Sequence, residues 1–450
     1  MRSLTIGIDG YNLAMPRGTG IATYGLNLAR TLQSGGHQIV GAFGLHVGRD
    51  PALREALFFD KVGQKQTGRV VFGGRWHRRI QMLYATLNWK LGALAREVAL
   101  TDQVDKESFA DRLPSFTRLT SATGLFPLAQ RHFLMTGRFL PLRMERPPEI
   151  MHWTYPVPVR LEGARNIYTI HDLVPLRLPY TTLTNKPRFA RLVQQCVKEA
   201  DHICTVSEFS RDDIIRRLEV GPSKVTNTYQ NSFIPAEISG ESFDDTARKI
   251  KGIFNLDPRA YFLFFGALEP KKNIGRLIES YLGLRISTPL VLVGARAWMS
   301  EGELSLLPDN DPRIIRLDYL GRSTLLRLAR VAKGVLFPSI FEGFGLPVLE
   351  AMQLGTPVLT SNRSSLPEVA GDAALLVDPY STASISQAIS RLDRDDDLRI
   401  RLSMAGPRQA AKFSENPYLS RLEAMYARVL ADTNTGCEPG NKHVGNIEPK

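Results

Sequence analysis

The chain has 450 residues, of which 43% are apolar and 23% are charged, and this composition predicts a globular protein of two or three domains. No apolar run approaches 18 residues and Asp9 interrupts the first apolar stretch, so we expect neither a membrane-spanning helix nor a signal peptide. Three scattered cysteines fit a reducing cytoplasm, and a net charge of +12 favours an anionic partner such as nucleic acid, anionic lipid or a phosphorylated substrate.

The N-terminal residues predict a strand–helix–strand unit of the Rossmann type. The predicted elements are a strand over residues 4–8, a helix over residues 21–32 and a strand over residues 38–43. Gly18, Thr19 and Gly20 lie in the loop before the helix, where such folds place an anion-binding turn. The full dinucleotide fingerprint Gly-x-Gly-x-x-Gly is absent, so this loop alone does not identify a ligand.

Between Asp50 and Pro148 the alternation of strands and helices is lost. This segment has 16 Lys and Arg against 9 Asp and Glu, a net charge of +7, and so carries more than half of the excess positive charge. Residues 80–98 have leucines at helical spacing, and we expect a largely helical insertion. Two interpretations are open: the segment lies on an anionic membrane surface, or its apolar side packs on the first domain while its charges face water. No nucleic-acid-binding signature accompanies the charge.

The regular alternation of strands and helices resumes at residue 149 and places a histidine at the edge of a predicted sheet. The predicted elements are strands over residues 149–153 and 166–170, a helix over 186–199, a strand over 202–206, a helix that ends at Leu218 and a strand over 225–231. His171 directly follows the second of these strands, at the carboxyl edge where open α/β sheets bind ligands. Ser207 stands where it can cap the following helix, and capping alone would explain it.

A polar linker at residues 239–242 precedes a second alternating half of the chain. The predicted elements are strands over residues 261–265, 290–294 and 314–317 and a helix over residues 324–333. The loop after the first of these strands contains Lys271 and Lys272. Two lysines in a loop are usually solvated, but at this edge they would stabilise a departing diphosphate, a step that otherwise needs Mg²⁺.

The stretch Ser339–Met352 joins a buried strand at residues 335–337 to a helix that begins near Pro347. Glu342 falls in the loop, and Glu350 falls one turn into the helix. Between them, Gly343 and Gly345 leave backbone N–H groups open to a ligand. Carboxylates accept hydrogen bonds from hydroxyls and a helix N-terminus attracts an anion, so this loop predicts a ligand with hydroxyl and phosphate groups.

This stretch, written Glu-Gly-Phe-Gly-Leu-Pro-x-x-Glu-Ala-Met, resembles the signature of retaining nucleotide-sugar glycosyltransferases of family 4. Residues 357–369 also resemble that family, especially its mannosyltransferase-like branch, whose members use GDP-mannose. The resemblance covers roughly residues 1–48 and 149–431. It implies the GT-B fold, an α/β architecture of two facing Rossmann-like domains with a cleft between them. The expected parts are an acceptor domain over residues 1–238 with an insertion at about 50–148, a donor domain over 239–416, a crossover helix over 417–431 and a disordered tail over 432–450.

The resemblance also implies roles for individual residues. Glu350 is expected to accept hydrogen bonds from the ribose, Glu342 to face the hydroxyls of the donor sugar, and His171 to position that sugar and stabilise positive character at its anomeric carbon. Lys272 matches the family's diphosphate-binding Lys, but Ala267 replaces the family's Arg, so Lys271 or a residue of the first domain is expected to substitute. The other expected donor-binding residues are Gly18, Thr19, Gly20, Ser207, Gly343, Phe344, Gly345 and Leu346.

The resemblance therefore implies a retaining transferase that moves a hexose, mannose from GDP-mannose as the first choice, to a glycan or polyprenyl-linked acceptor in surface polysaccharide synthesis. We expect no metal, no other cofactor and no nucleic-acid partner. The expected location is the cytoplasm, with peripheral contact to the inner face of the plasma membrane. The alternatives are a UDP-sugar-dependent transferase of the same fold, a protein that binds nucleotide sugars without turnover, and a basic membrane-associated protein.

Overall fold

Two sheets, one in each half of the chain, organise the structure. The computed structural model describes residues 2–15, 20–64, 92–101, 103–109, 112–295, 303 and 311–431. Within these ranges the first half contains an eight-stranded sheet and a small three-stranded one, and the second half contains a six-stranded sheet. Each large sheet is covered by helices, so the predicted α/β architecture of two Rossmann-like domains is confirmed.

The large sheet of the first domain has the order β11-β10-β9-β7-β1-β2-β5-β4 and is parallel except for its edge strand β4. The small sheet has the order β3-β6-β8. The strands of this domain are β1 (Thr5–Asp9), β2 (Gln38–Phe43), β3 (Ala93–Leu94), β4 (Arg96–Val98), β5 (Arg118–Ser121), β6 (Leu140–Arg143), β7 (Ile150–Trp153), β8 (Val159–Leu161), β9 (Arg165–Thr169), β10 (His202–Thr205) and β11 (Val225–Asn227).

Helices lie around this sheet and in the connection to the second domain. The α-helices are α1 (Gly20–Ser34), α2 (Arg54–Lys61), α3 (Leu125–Thr136), α4 (Val174–Arg177), α5 (Lys186–Glu199), α6 (Glu208–Leu218) and α7 (Ala236–Ser239). Short 3₁₀ helices are found at Pro51–Leu53, Glu107–Phe109, Pro179–Thr181 and Pro222–Lys224.

The second domain is built on a fully parallel sheet with the order β14-β13-β12-β15-β16-β17. Its strands are β12 (Phe262–Phe265), β13 (Leu290–Val293), β14 (Ile314–Leu317), β15 (Gly334–Phe337), β16 (Val358–Ser361) and β17 (Leu375–Val377). The central strands β12, β13 and β15 are buried along their whole length, which explains their uninterrupted apolar sequences.

The helices of the second half begin with α8, and the last of them reaches back to the first domain. They are α8 (Phe243–Phe254), α9 (Ile274–Leu282), α10 (Arg322–Arg330), α11 (Leu346–Gln353), α12 (Leu366–Ala370), α13 (Thr382–Arg394), α14 (Asp396–Ala410) and α15 (Glu415–Ala431), with 3₁₀ turns at Pro270–Lys272 and Ala411–Phe413. None of the helices within the described ranges is long and apolar enough to cross a lipid bilayer.

Helix α15 packs on the first domain and buries a polar network there. The Tyr426 hydroxyl lies 2.7 Å from His152 Nδ1, while His152 Nε2 lies 2.7 Å from Thr169 Oγ1. Burial lowers the pKa of His152 to about 3, so the ring is neutral at neutral pH. The network therefore joins the C-terminal helix to β7 and β9 through uncharged groups.

Residues 432–450, which we expected to be disordered, lie outside the described part of the chain.

The segment between residues 50 and 148 differs from the expected helical insertion. Strands β3 and β4 occupy residues that we predicted as the end of a helix over 80–98, and residues 80–91 lie outside the described ranges. Strand β5 pairs in parallel with β2, so this part of the segment belongs to the main sheet. Because β5 has the mixed sequence Arg-Leu-Thr-Ser and a partner far away in the chain, no local apolar period marked it as a strand.

Candidate active site

A buried ion pair stands where two loops of the second domain meet. Lys272 Nζ lies 2.6 Å from Glu342 Oε1, and Lys272 Nζ also lies 5.2 Å from the centroid of the Phe337 ring. Only 12% of the Lys272 side chain and 9% of the Glu342 side chain are exposed. Asn273 holds the lysine loop in place, because its side-chain amide donates to the carbonyls of Pro338 and Pro379. The sequence-predicted Lys272 and Glu342 are thus in direct contact.

A second lysine adds positive charge to the same cluster. Lys271 Nζ lies 3.5 Å from Glu269 Oε1. Burial alone would lower the pKa of Lys271, but the carboxylates of Glu342, Asp172 and Glu269 raise it above its ordinary value. Burial would likewise raise the pKa of Glu342, yet Lys272 and Lys271 hold it below its ordinary value. Lys271 is therefore charged beside an ionised Glu342, whereas Ala267 is exposed and offers no cation.

The loop between Glu342 and Glu350 turns sharply into helix α11. Gly345 has a φ of 105°, and a Cβ there would come within 2.6 Å of Leu366 Cδ2, so only glycine fits. Leu346 begins the helix and Pro347 occupies its first turn, as the sequence predicts. Phe344 is buried against the ring of Phe413, 5.5 Å between centroids. Glu342 consequently lies in the short loop that leads into the N-terminus of α11.

Glu350 is held by an arginine that the sequence analysis did not single out. Arg322 Nη2 donates to Glu350 Oε1 at 2.8 Å, and the Ser232 hydroxyl donates to the same oxygen at 3.1 Å. Both contacts use Oε1, so within the described part of the chain Oε2 is left to accept from a ligand. Arg322 begins α10, next to the loop after β14, and only the tertiary fold brings it to a glutamate 28 positions away.

We expect Arg322→Ala to raise the KM for the donor by about fivefold with little change in kcat. The substitution leaves the carboxylate but removes the group that orients it, an effect worth about 1 kcal/mol for a partly exposed ion pair. Steady-state kinetics with varied donor concentration measure KM and kcat separately. Arg327→Ala is the matched control, since Arg327 lies on the same helix and pairs with Glu241 at 2.8 Å. A donor KM equal to that of the wild type would show that Arg322 does not position Glu350.

His171 lies two residues after the end of β9 and faces these loops from the first domain. Its Nε2 is 2.8 Å from the carbonyl oxygen of Thr154, which requires a proton on Nε2 and leaves Nδ1 as an acceptor. The ring of Tyr24 packs edge-on at 4.8 Å, and burial lowers the pKa of His171. A neutral ring without its own positive charge is compatible with positive character on a nearby ligand atom.

Direct contacts across the cleft place His171 beside the glutamate loop. The Gly343 carbonyl accepts from the hydroxyls of Ser207 at 2.7 Å and Ser210 at 3.3 Å. Within the first domain, the Ser210 hydroxyl also donates to the His171 carbonyl at 2.8 Å. A Cβ on Gly343 would come within 2.6 Å of the His171 carbonyl oxygen, so a larger residue would separate the domains here. Ser207 also caps α6 and is fully buried, so the structure gives it a positioning role between the domains, while its contact with the donor stays a prediction.

A second contact between domains also escaped the sequence analysis. The carboxylate of Glu368 accepts from the backbone N–H groups of Glu208 at 2.8 Å and Phe209 at 3.3 Å. A side chain of the second domain therefore caps a helix of the first.

Of the predicted glycine loop, Gly18 and Thr19 lie outside the described residues, and Gly20 is the exposed first residue of α1. Their contact with the donor stays a prediction.

The described residues contain no group of three or more His, Cys, Asp or Glu side chains arranged to hold a metal ion. In the cleft, the cations near Glu342 are Lys271 and Lys272. The cleft thus combines a carboxylate, two lysines, a helix N-terminus and a neutral histidine. Such a set can hold a sugar by its hydroxyls and stabilise negative charge on a leaving phosphate.

Comparison with known proteins agrees with this arrangement. A family model described as Glycosyl transferases group 1 matches residues 246–409, and one described as Glycosyltransferase Family 4 matches residues 97–229. The O-antigen chain mannosyltransferase B of Escherichia coli is 34% identical over 269 residues, covering 57% of this chain and 68% of that protein. The chain therefore belongs to glycosyltransferase family 4, and it is a glycosyltransferase.

Two further comparisons bear on extent and fold. The serotype-specific mannosyltransferase WbdA of E. coli is 28% identical over 289 residues, which are 58% of this chain but only 33% of WbdA, so the chain spans about a third of that relative. Sucrose-phosphate synthase from Thermosynechococcus elongatus superposes with a TM-score of 0.62 at 16% identity, over 95% of this chain and 100% of that one. The fold is thus GT-B, with the family 4 match beginning inside the segment that we expected to be an insertion.

Proposed function

We propose that the protein is a retaining mannosyltransferase that transfers mannose from GDP-mannose to a glycan or polyprenyl-linked acceptor in surface polysaccharide synthesis. The observation that carries this proposal is the buried Lys272–Glu342 pair beside His171, since it provides for both the sugar and the leaving diphosphate of a donor. The choice of mannose is supported by the relatives, which are named as mannosyltransferases of O-antigen chains or of particular serotypes.

In the proposed transfer, each of these side chains has a separate role. Glu342 accepts hydrogen bonds from the sugar hydroxyls, and His171 positions the sugar beneath the incoming acceptor. The acceptor oxygen forms a bond to the anomeric carbon on the face from which the diphosphate departs, and the donor phosphate takes the acceptor's proton. Lys271 and Lys272 stabilise the charge that develops on the diphosphate, which is the task of a metal ion in other transferases. No metal is therefore assigned to the reaction.

Glu350 binds the ribose in this proposal. Its Oε2 accepts from ribose hydroxyls while Arg322 holds Oε1. A charged acceptor makes hydrogen bonds about twice as strong as a neutral one, which gives the carboxylate an advantage over an amide.

The proposed reaction takes place in the cytoplasm, where the basic first domain meets the inner face of the plasma membrane. The net charge of +7 between residues 50 and 148 supports this location.

Thermal denaturation with GDP, UDP, GDP-mannose and UDP-glucose tests the donor class. We expect guanine nucleotides to raise the Tm, because a ligand at ~100 times its Kd adds about 2.7 kcal/mol of stability. Glu350→Gln should lose most of this shift, whereas Glu279→Gln, an exposed position on α9, should keep it. A shift with uridine nucleotides alone would replace GDP-mannose by a UDP-sugar. Binding without turnover on any acceptor would favour a non-catalytic relative.

A further inference from the structure

A cavity of about 530 Å³ opens in the first domain outside the site described so far. Its walls come from the residues that follow β2, from the end of β5, from the start of β3 and from one side of α3. Because β2 and β5 are parallel to β9, the cavity lies at the same carboxyl edge of the sheet as His171. Three to four strand spacings of ~4.8 Å separate the two places, or about 15–20 Å.

The lining of this cavity is one-sided in charge. It includes Arg49, Arg96 and Arg131 together with two histidines, and no Asp or Glu is among the described residues that line it. Arg49 and Arg131 are exposed and, within the described ranges, form no ion pair, while Arg96 donates to the carbonyl of Gly48. The cavity is therefore suited to an anion.

Apolar side chains complete the same cavity. Leu94 and Met135 are 64% and 56% exposed, a costly arrangement for large apolar side chains unless something covers them, and Leu128 lies beside them. An anion surrounded by water alone would need no such wall. The combination indicates a ligand that joins a phosphate group to an apolar chain.

A row of aromatic rings leads from the transfer site to this cavity. Tyr155 lies close enough to Asp172, the neighbour of His171, for that carboxylate to affect its pKa. The rings of Tyr155 and Tyr11 are stacked 6.4 Å apart, and the ring of Tyr11 lies 4.9 Å from that of Phe126 on α3. Helix α3 then provides Leu128 and Arg131 to the cavity. Aromatic faces are suitable surfaces for the apolar faces of sugar rings.

We propose that this basic cavity, defined by Arg49, Arg96 and Arg131 with Leu94, Leu128 and Met135, binds the phosphate and the first apolar units of a lipid-linked acceptor. The saccharide of that acceptor then runs along Tyr11 and Tyr155 and presents its growing end at His171. The inference rests on the proposed transferase function and specifies its acceptor. It gives a function to three arginines that lie far from the donor diphosphate.

Binding of farnesyl diphosphate to the full chain tests the cavity without requiring turnover. Calorimetry is performed with saturating GDP, so that the donor site with Lys271 and Lys272 is occupied. We expect the double variant Arg49→Gln/Arg131→Gln to raise the Kd for farnesyl diphosphate by roughly ten- to a hundredfold, as the loss of charge-assisted hydrogen bonds implies. Arg401→Gln, an exposed position on α14, is the control and should bind as the wild type does.

The other outcomes overturn the proposal in distinguishable ways. Binding that is lost in Lys272→Ala but kept in the double variant would place the probe at the donor site. Pyrophosphate binding as tightly as farnesyl diphosphate would remove any role for the apolar wall. If vesicles of phosphatidylglycerol bind through these arginines and the prenyl probe does not, the cavity recognises membrane headgroups instead of an acceptor.

Kinetics separate failure of this inference from failure of the proposed function. With a prenyl-diphosphate-linked glycan as acceptor, the double variant should raise the acceptor KM at least as much as the probe Kd and leave the donor KM unchanged. With the same glycan lacking lipid and phosphate, both enzymes should be equal. An unchanged acceptor KM with active enzyme would reject the cavity alone, whereas the absence of transfer by the wild type would reject the function.

Discussion

Replacing Lys272 by alanine is expected to lower kcat by roughly 10²–10³-fold, the usual effect of removing one group that stabilises charge in a transition state. Lys272 Nζ is 2.6 Å from Glu342 in a largely buried site, where solvent screens its charge less than at the surface. The donor KM should change less than kcat, because the charge on the diphosphate increases only as the glycosidic bond breaks. Steady-state kinetics with the donor varied at saturating acceptor measure both constants.

The chain offers a matched control for this substitution. Lys333 Nζ lies 2.6 Å from Asp393 Oδ1, and both side chains are 15% exposed, so this pair resembles the Lys272–Glu342 pair in length and burial. Lys333 precedes β15, at the opposite edge of the sheet from Glu342. Lys333→Ala should therefore lower the Tm in a similar way without lowering kcat. Equal losses of kcat in both variants would mean that destabilisation, and not chemistry, explains the effect at Lys272.

Much of the second domain could be predicted because its signals are local. Strands β12, β13 and β15 are continuous apolar runs, and a proline occupies the first turn of helix α11 where the sequence places it. Glu342 and Glu350 of the candidate site could be predicted for the same reason, because one short loop and the helix that follows it contain both. Local patterns also predicted helix α5 over residues 186–199.

Contacts that depend on the distant chain could not be predicted in this way. Strand β5 becomes a strand through its pairing with β2, and its own four residues carry little strand signal. Arg322 and Ser232 reach Glu350 from 28 and 118 positions away. Ser207 looked like a helix cap and a donor contact at once, and only the position of Gly343 shows that it joins the two domains. Such pairings are properties of the assembled cleft.

Glu342→Gln should reduce transfer through loss of contact with the donor sugar. A hydrogen bond to a charged acceptor contributes about 1.5–3 kcal/mol, so we expect kcat/KM for the donor to fall roughly ten- to a hundredfold. The amide keeps the shape of the side chain but leaves two buried lysines without their shared anion. Asp393→Asn, which neutralises the acid of the remote ion pair, is the control and should retain wild-type kinetics.

The pH dependence of stability gives a second measurement on the same variant. Lys272 and Lys271 hold the pKa of Glu342 below its ordinary value, so its ionised form stabilises the folded state above that ordinary value. This stabilisation is lost as the pH falls through the lowered pKa of the folded state, because protonation removes the charge that faces the lysines. The wild type should consequently lose stability on acidification more steeply than Glu342→Gln. Parallel curves, together with full transfer activity in the variant, would show that the charge of Glu342 supports neither the cleft nor the reaction.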